Sequence, residues 1–98
     1  MKEIIENHLA SAVETYIKQQ NASINDAPSI EIDHTNDPKH GDFASNIAMI
    51  LAKPIGLPPR DIANGIIQCL SEFPFLDKCE IAGPGFINFF LTKDAYYQ

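Results

Sequence analysis

Basic residues are scarce in this 98-residue chain: seven Lys and Arg stand against thirteen Asp and Glu, for a net charge of −6. Non-specific affinity for nucleic acid comes from neutralising phosphates with Lys and Arg, so the balance argues against a general nucleic-acid binder. The seven are also scattered, at Lys2, Lys18, Lys39, Lys53, Arg60, Lys78 and Lys93. An RNA partner would have to be held mainly by other parts, with this chain reading a local feature. Cysteine is sparse too. Cys69 and Cys79 make no disulfide framework and match no zinc spacing; two reduced, partly buried thiols in a cytoplasmic protein are expected. No apolar run approaches the ~18 residues of a membrane span. The start, with Glu3, Glu6 and Asn7, lacks the apolar stretch of a secretion signal.

What is present suits one small folded domain over residues 1–98. Apolar residues make up 45% of the chain, enough for a single core, and charged residues 20%, ordinary for a folded domain. Ile5, Leu9, Val13, Tyr16 and Ile17 recur every three or four residues, predicting a helix over 3–19. Asn21 to Ser29 is loop material. Ser29–Asp33 alternates polar and apolar and predicts a short strand. A polar loop follows from His34 to Gly41, with a further short strand conceivable before Asp42. Asp42 is expected to cap a second helix, running to about Lys53 with Phe43, Ile47, Ile50 and Leu51 inward and Pro54 as its stop. Pro58-Pro59 opens a third helix, to about Glu72, with Ile62, Ile66, Ile67 and Leu70 inward. Lys78–Ala82 and Phe86–Leu91, joined by Gly83-Pro84-Gly85, predict an antiparallel hairpin. The sum is an α+β, two-layer domain: about three helices on one face of an antiparallel sheet of three to four strands.

Catalytic chemistry finds no support in these residues. His34, Asp37, His40 and Asp42 cluster in one loop, but turns and caps commonly use such residues, and a metal site needs converging ligands. Gly83-Pro84-Gly85 has glycines, yet its proline removes an amide donor and no helix follows to face a phosphate. No serine sits in a nucleophile motif. The expectation is that the chain carries no catalytic residue, no cofactor site and no metal site.

Three segments carry a resemblance. Lys39-His40-Gly41-Asp42-Phe43-Ala44-Ser45-Asn46, Pro58-Pro59-Arg60-Asp61-Ile62-Ala63 and Glu80-Ile81-Ala82-Gly83-Pro84-Gly85-Phe86-Ile87-Asn88-Phe89 occur in order. Together they resemble the amino-terminal additional domain of arginyl-tRNA synthetases, of bacterial type. The likeness covers roughly Pro38 to Leu91, and the last segment is its most specific part. It implies a tRNA-recognition module that contacts the D-loop, at the corner of tRNA(Arg). It also implies a parent arginine–tRNA ligase, cytoplasmic and monomeric. That parent's separate class I catalytic domain would attach arginine using ATP and Mg, beside an anticodon-binding domain.

The hairpin suits that role on physical grounds. RNA loops are read by stacking a splayed base on an aromatic ring and bonding its edge. An Asn amide offers both a donor and an acceptor, the pattern adenine presents. Residues two apart on a strand share a face, so Phe86 and Asn88 point together while Ile87 and Phe89 point to the other side. The candidate tRNA-binding residues are Phe86, Asn88, Gly83, Asn46 and Arg60. Gly41-Asp42 is expected to form a turn and cap, and Tyr96 and Tyr97 to pack on the hairpin or a further domain. The rival expectation is a protein-interaction domain with no RNA role. A hairpin face that is apolar and acidic, with Asn88 buried, would favour it.

Overall fold

The first apolar stripe becomes helix α1 (Lys2–Gln19). Ile5, Leu9, Ala12, Val13 and Tyr16 are its buried residues, lying on one side because their spacing follows the helical turn. A computed structural model describes residues 2–22, 29–71 and 73–93. Most of the expected loop after Asn21, the expected helix end at Glu72, and Tyr96 and Tyr97 therefore lie outside the described residues.

The alternating segment before His34 pairs less than its pattern suggests. Strand β1 is only Asp33–His34, antiparallel to β2 (Phe43–Ser45), with Asp33 opposite Ala44 and His34 opposite Phe43. The alternation marks burial, since Ile32 is enclosed in the core.

The largest departure from expectation lies at Asp42–Asn46. Instead of opening a helix, Phe43–Ser45 forms β2, an inner strand of a sheet ordered β1-β2-β4-β3, where β3 is Leu76–Ala82 and β4 is Phe86–Leu91. Phe43 and Ser45 alternate inward around Ala44 and are both buried. Asp42 is not a helix cap. Its Oδ2 accepts from the Leu91 amide at 2.8 Å, and its own amide donates to the Phe89 carbonyl at 2.8 Å. Helix α2 (Ile47–Ile55) starts after Asn46, whose side chain makes no capping bond; the Ser45 hydroxyl accepts from the Ile47 amide at 3.2 Å instead. The fourth strand thus follows the polar loop rather than lying within it. The loop itself holds a single 3₁₀ turn, Pro38–His40, with Asp37 accepting from the Lys39 amide.

Two helix ends also shift. Pro54 sits inside the last turn of α2, which continues one residue to Ile55 before turning at Gly56. A proline removes its own amide donor but leaves the earlier bonds of the turn intact. Helix α3 (Pro59–Cys69) ends at Leu70, short of Glu72, with Ile62, Ala63 and Ile66 buried. Ile50, expected inward on α2, is 45% exposed. Strand β3 begins two residues before Lys78, with an irregularity between Leu76 and Lys78. The result is α+β: α3 packs on α1 and α2 and reaches both hairpin strands, and α2 also touches β4. Ile87 and Phe89 are the sheet's fully enclosed contribution to that core.

Candidate functional site

Strand β4 divides its residues between two faces. Ile87 and Phe89 turn toward the helices and are fully buried. The register carries the same division across the sheet: Phe43 and Cys79 oppose Phe89, while Ser45 and Ile81 oppose Ile87. Phe86, Asn88 and Phe90 stand on the other face, opposite Ala82, Glu80 and Lys78 respectively, with Ala44 on the far side of Asn88. The expected pairing of Phe86 with Asn88 on one face is therefore present.

Most of the three sequence segments prove to be packing devices. Gly41 has φ of 79°, and a Cβ there would stand 2.6 Å from the Phe89 carbonyl oxygen, so only glycine lets this loop lie on β4. Gly85, at φ 149°, meets the first turn of α3: a Cβ would stand 2.7 Å from Cβ of Pro59. One residue on, an Arg60 guanidinium nitrogen donates to the Gly83 carbonyl at 2.5 Å. The loop, the helix start and the hairpin turn thus lock together, and β4 is held on both sides. Arg60 and Gly83, both candidate RNA contacts, are joined to one another here; the guanidinium is exposed and has further donors. Asn46 is exposed and follows Ser45, the register partner of Ile87, so it lies toward the Phe86 end of the sheet.

Phe86 and Asn88 are not used in that way. Phe86 keeps 40% of its surface exposed although it is a large apolar ring. Asn88 is 3% exposed, yet its side chain makes no hydrogen bond among the described residues. No described side-chain nitrogen or oxygen is both sealed from solvent and unpartnered, so the amide's polar atoms open onto free space. That space is a cleft of about 470 Å³, walled by His34, Ala44, Ala82, Phe86 and Asn88 on the sheet and by Thr35, Asn36, Asp37 and His40 from the loop. The loop wall escaped the sequence reading, because nothing in its composition shows that it arches over β4. Its anchors are bonds from Thr35 to backbone carbonyls: its amide to Asp42 at 3.2 Å, and its hydroxyl to Gly41.

Among the described residues no group of three or more His, Cys, Asp or Glu is arranged to hold a metal ion. Asp37 and Asp42 are engaged by backbone amides, as above. The two titrations that shift belong to the core side. Burial pushes the Cys79 thiol up to about 11. Burial, then the charges of Asp61 and Cys69, raises the Tyr16 hydroxyl above its ordinary value. At this end of the open face stand one exposed ring and one amide without a partner among the described residues, both lining the cleft.

A family model described as the arginyl tRNA synthetase N-terminal domain matches residues 1–91. An arginine–tRNA ligase of Pseudomonas fluorescens is 46% identical over 95 residues, covering 97% of this chain and 16% of the relative. One of Pseudomonas entomophila is 56% identical over 68 residues, covering 69% of this chain and 12% of the relative. The chain therefore spans about a sixth or less of the length of these relatives. Among solved structures, Thermus thermophilus arginyl-tRNA synthetase superposes with a TM-score of 0.73 at 21% identity, over 97% of this chain and 14% of that one. The synthetase of Plasmodium falciparum does so with a TM-score of 0.67 at 21% identity, over 93% of this chain and 16% of that one. At that identity the likeness is one of fold. No described helix is long and apolar enough to cross a membrane.

Proposed function

Because the chain belongs to the family of arginyl-tRNA synthetase amino-terminal domains, we propose that it is the tRNA-recognition module of a cytoplasmic, monomeric arginine–tRNA ligase. It contacts the D-loop at the corner of tRNA(Arg). A class I catalytic domain elsewhere in the ligase attaches arginine using ATP and Mg, and an anticodon-binding domain holds the other end of the tRNA. The module contributes no reacting group; it orients the tRNA and helps select it.

One observation carries this reading: Asn88 presents an unpartnered amide to the cleft while Phe86, on the same face of β4, presents an exposed ring. An extruded base stacks on Phe86 and enters the cleft edge first, where the Asn88 amide pairs with its donor and acceptor. Arg60, Gly83 and Asn46 surround the Phe86 end and are the nearer candidates for sugar and phosphate contacts, which position without specifying sequence.

The burial of Asn88 and the net charge of −6 favour a second reading, a protein-docking face. The two readings separate on one experiment. In an arginine–tRNA ligase carrying this chain at its amino terminus, Asn88→Ala removes a bidentate base contact worth about 1–3 kcal/mol. Transfer efficiency to tRNA(Arg) is expected to fall roughly ten- to hundredfold, with arginine-dependent ATP–pyrophosphate exchange unchanged. The loss shrinks on a tRNA whose D-loop base is already substituted. Equal charging of both tRNAs by variant and parent refutes base reading by Asn88.

A further inference from the structure

Beyond Phe86 and Asn88, the open face of the hairpin carries one ion pair whose position is informative. Lys78 opposes Phe90 in the register and Glu80 opposes Asn88, so both charged side chains stand on the same face as the ring and the amide. Lys78 Nζ lies 4.7 Å from the centre of the Phe90 ring and 3.0 Å from Glu80 Oε2. Both side chains are about half exposed. The Lys78–Phe90 pair sits two residues along β4 from Asn88, about 7 Å at the rise of a strand, within one nucleotide's reach of a base held at Asn88. Arg60 stands at the opposite end, on the Gly83 turn. The row Phe86, Asn88, Phe90 is thus bracketed by a cation at each end, in a chain with only seven.

We propose that a single RNA strand passes over the open face of the hairpin beside the Thr35–His40 loop, with Lys78 of β3 meeting the phosphate next to the base read at Asn88 and Glu80 restraining it. The proposal rests on the tRNA-recognition reading above and extends it to the strand's path and to the control of its affinity. Phe90 holds the Lys78 ammonium over its ring, so the cation is positioned before RNA arrives. Glu80 holds the same ammonium and also repels an incoming phosphate. A phosphate and Glu80 therefore compete for Lys78, which keeps the contact weak and makes it sensitive to salt.

Opposite responses from the two partners of one ion pair are the signature. In an arginine–tRNA ligase carrying this chain, Lys78→Gln is expected to weaken tRNA binding about two- to fivefold, the range of an exposed charge contact. It should also flatten the dependence of log affinity on log salt by about 0.7 to 1. Glu80→Gln, by freeing Lys78 and removing the repulsion, is expected to strengthen binding by a similar factor. Both effects are equal on tRNA(Arg) and on its D-loop-substituted form, because a phosphate contact carries no sequence information. A purely structural ion pair predicts instead that the two variants lose thermal stability together and leave the salt slope untouched. Affinity shifts of the same sign, or an unchanged slope in Lys78→Gln, overturn the proposal. A discriminating Asn88→Ala beside a silent Lys78→Gln overturns this inference alone; silence from both removes the base-reading proposal with it.

Discussion

Replacing Gly65 with alanine sets two effects in helix α3 against each other. Propensity favours the change, since glycine inside a helix is about 1 kcal/mol worse than alanine. The neighbouring helix opposes it. A Cβ at position 65 would stand 2.2 Å from Cε1 of Tyr16, 2.8 Å from Cδ1 and 3.1 Å from Cζ. Carbon atoms pack at about 3.5–4.0 Å, so the ring or the helix must retreat by about 1.3 Å. Tyr16, on α1, is 3% exposed and faces α3, so its ring has little room to yield. Overpacking of this kind costs about 1–3 kcal/mol, and a shortfall this large belongs at the upper end. The net expectation is a loss of about 1–2 kcal/mol, and for a domain of this size each kcal/mol lowers Tm by about 4–8 °C. Thermal and urea unfolding followed by far-ultraviolet circular dichroism measure it. The same substitution in a Tyr16→Ala background removes the obstacle and keeps the propensity gain, so there Gly65→Ala should stabilise. If Gly65→Ala raises Tm in the parent, or acts with the same sign and size in both backgrounds, the close α1–α3 contact is not what position 65 provides.

Two further outcomes follow from the sheet. Asp42→Ala strips the acceptor from the Leu91 amide and should destabilise the chain by about 1–2 kcal/mol, with Asp42→Asn costing clearly less; equal urea midpoints for the parent and Asp42→Ala would refute the strand-anchoring role. The Cys79 thiol, pushed up to about 11 by burial, ionises near 8.5 in an unfolded chain. The folded state therefore holds this proton more tightly, so its stabilising contribution is complete below about pH 8.5 and is lost as pH rises toward about 11. Urea midpoints should fall more steeply across that window in the parent than in Cys79→Ala; parallel curves would count against burial as the cause.

The helices and hairpin were legible where periodicity and punctuation agreed. Ile5, Leu9, Val13 and Tyr16 point one way because no other element competes for that spacing, and Gly83-Pro84-Gly85 separates two runs of strand-forming residues. Phe43 misled for a physical reason. Its distance to Ile47 is one helical turn, and the same residue also fits the two-residue alternation Phe43–Ser45. Local spacing cannot choose between these; the long-range pairing of Phe43 with Phe89 decides. Strand parity groups Phe86 with Asn88 but cannot give the depth of Asn88, which lies in a cleft shared with the Thr35–His40 loop. Lys78 was visible as a basic residue, and the alternation of β3 places it across from Phe90 only once the register is known.

The amide of Asn88 is nearly enclosed before any ligand arrives, so little water remains to be stripped from it on binding. A group with a complementary donor and acceptor satisfies both polar ends of the amide. A group that presents two donors, or two acceptors, is confined against an amide it cannot satisfy, and each polar atom left unpaired there costs about 1–3 kcal/mol. Such a site selects by rejection. It can be demanding about which edge it accepts while contributing little to overall tightness, a division of labour open to an acidic chain with few cations.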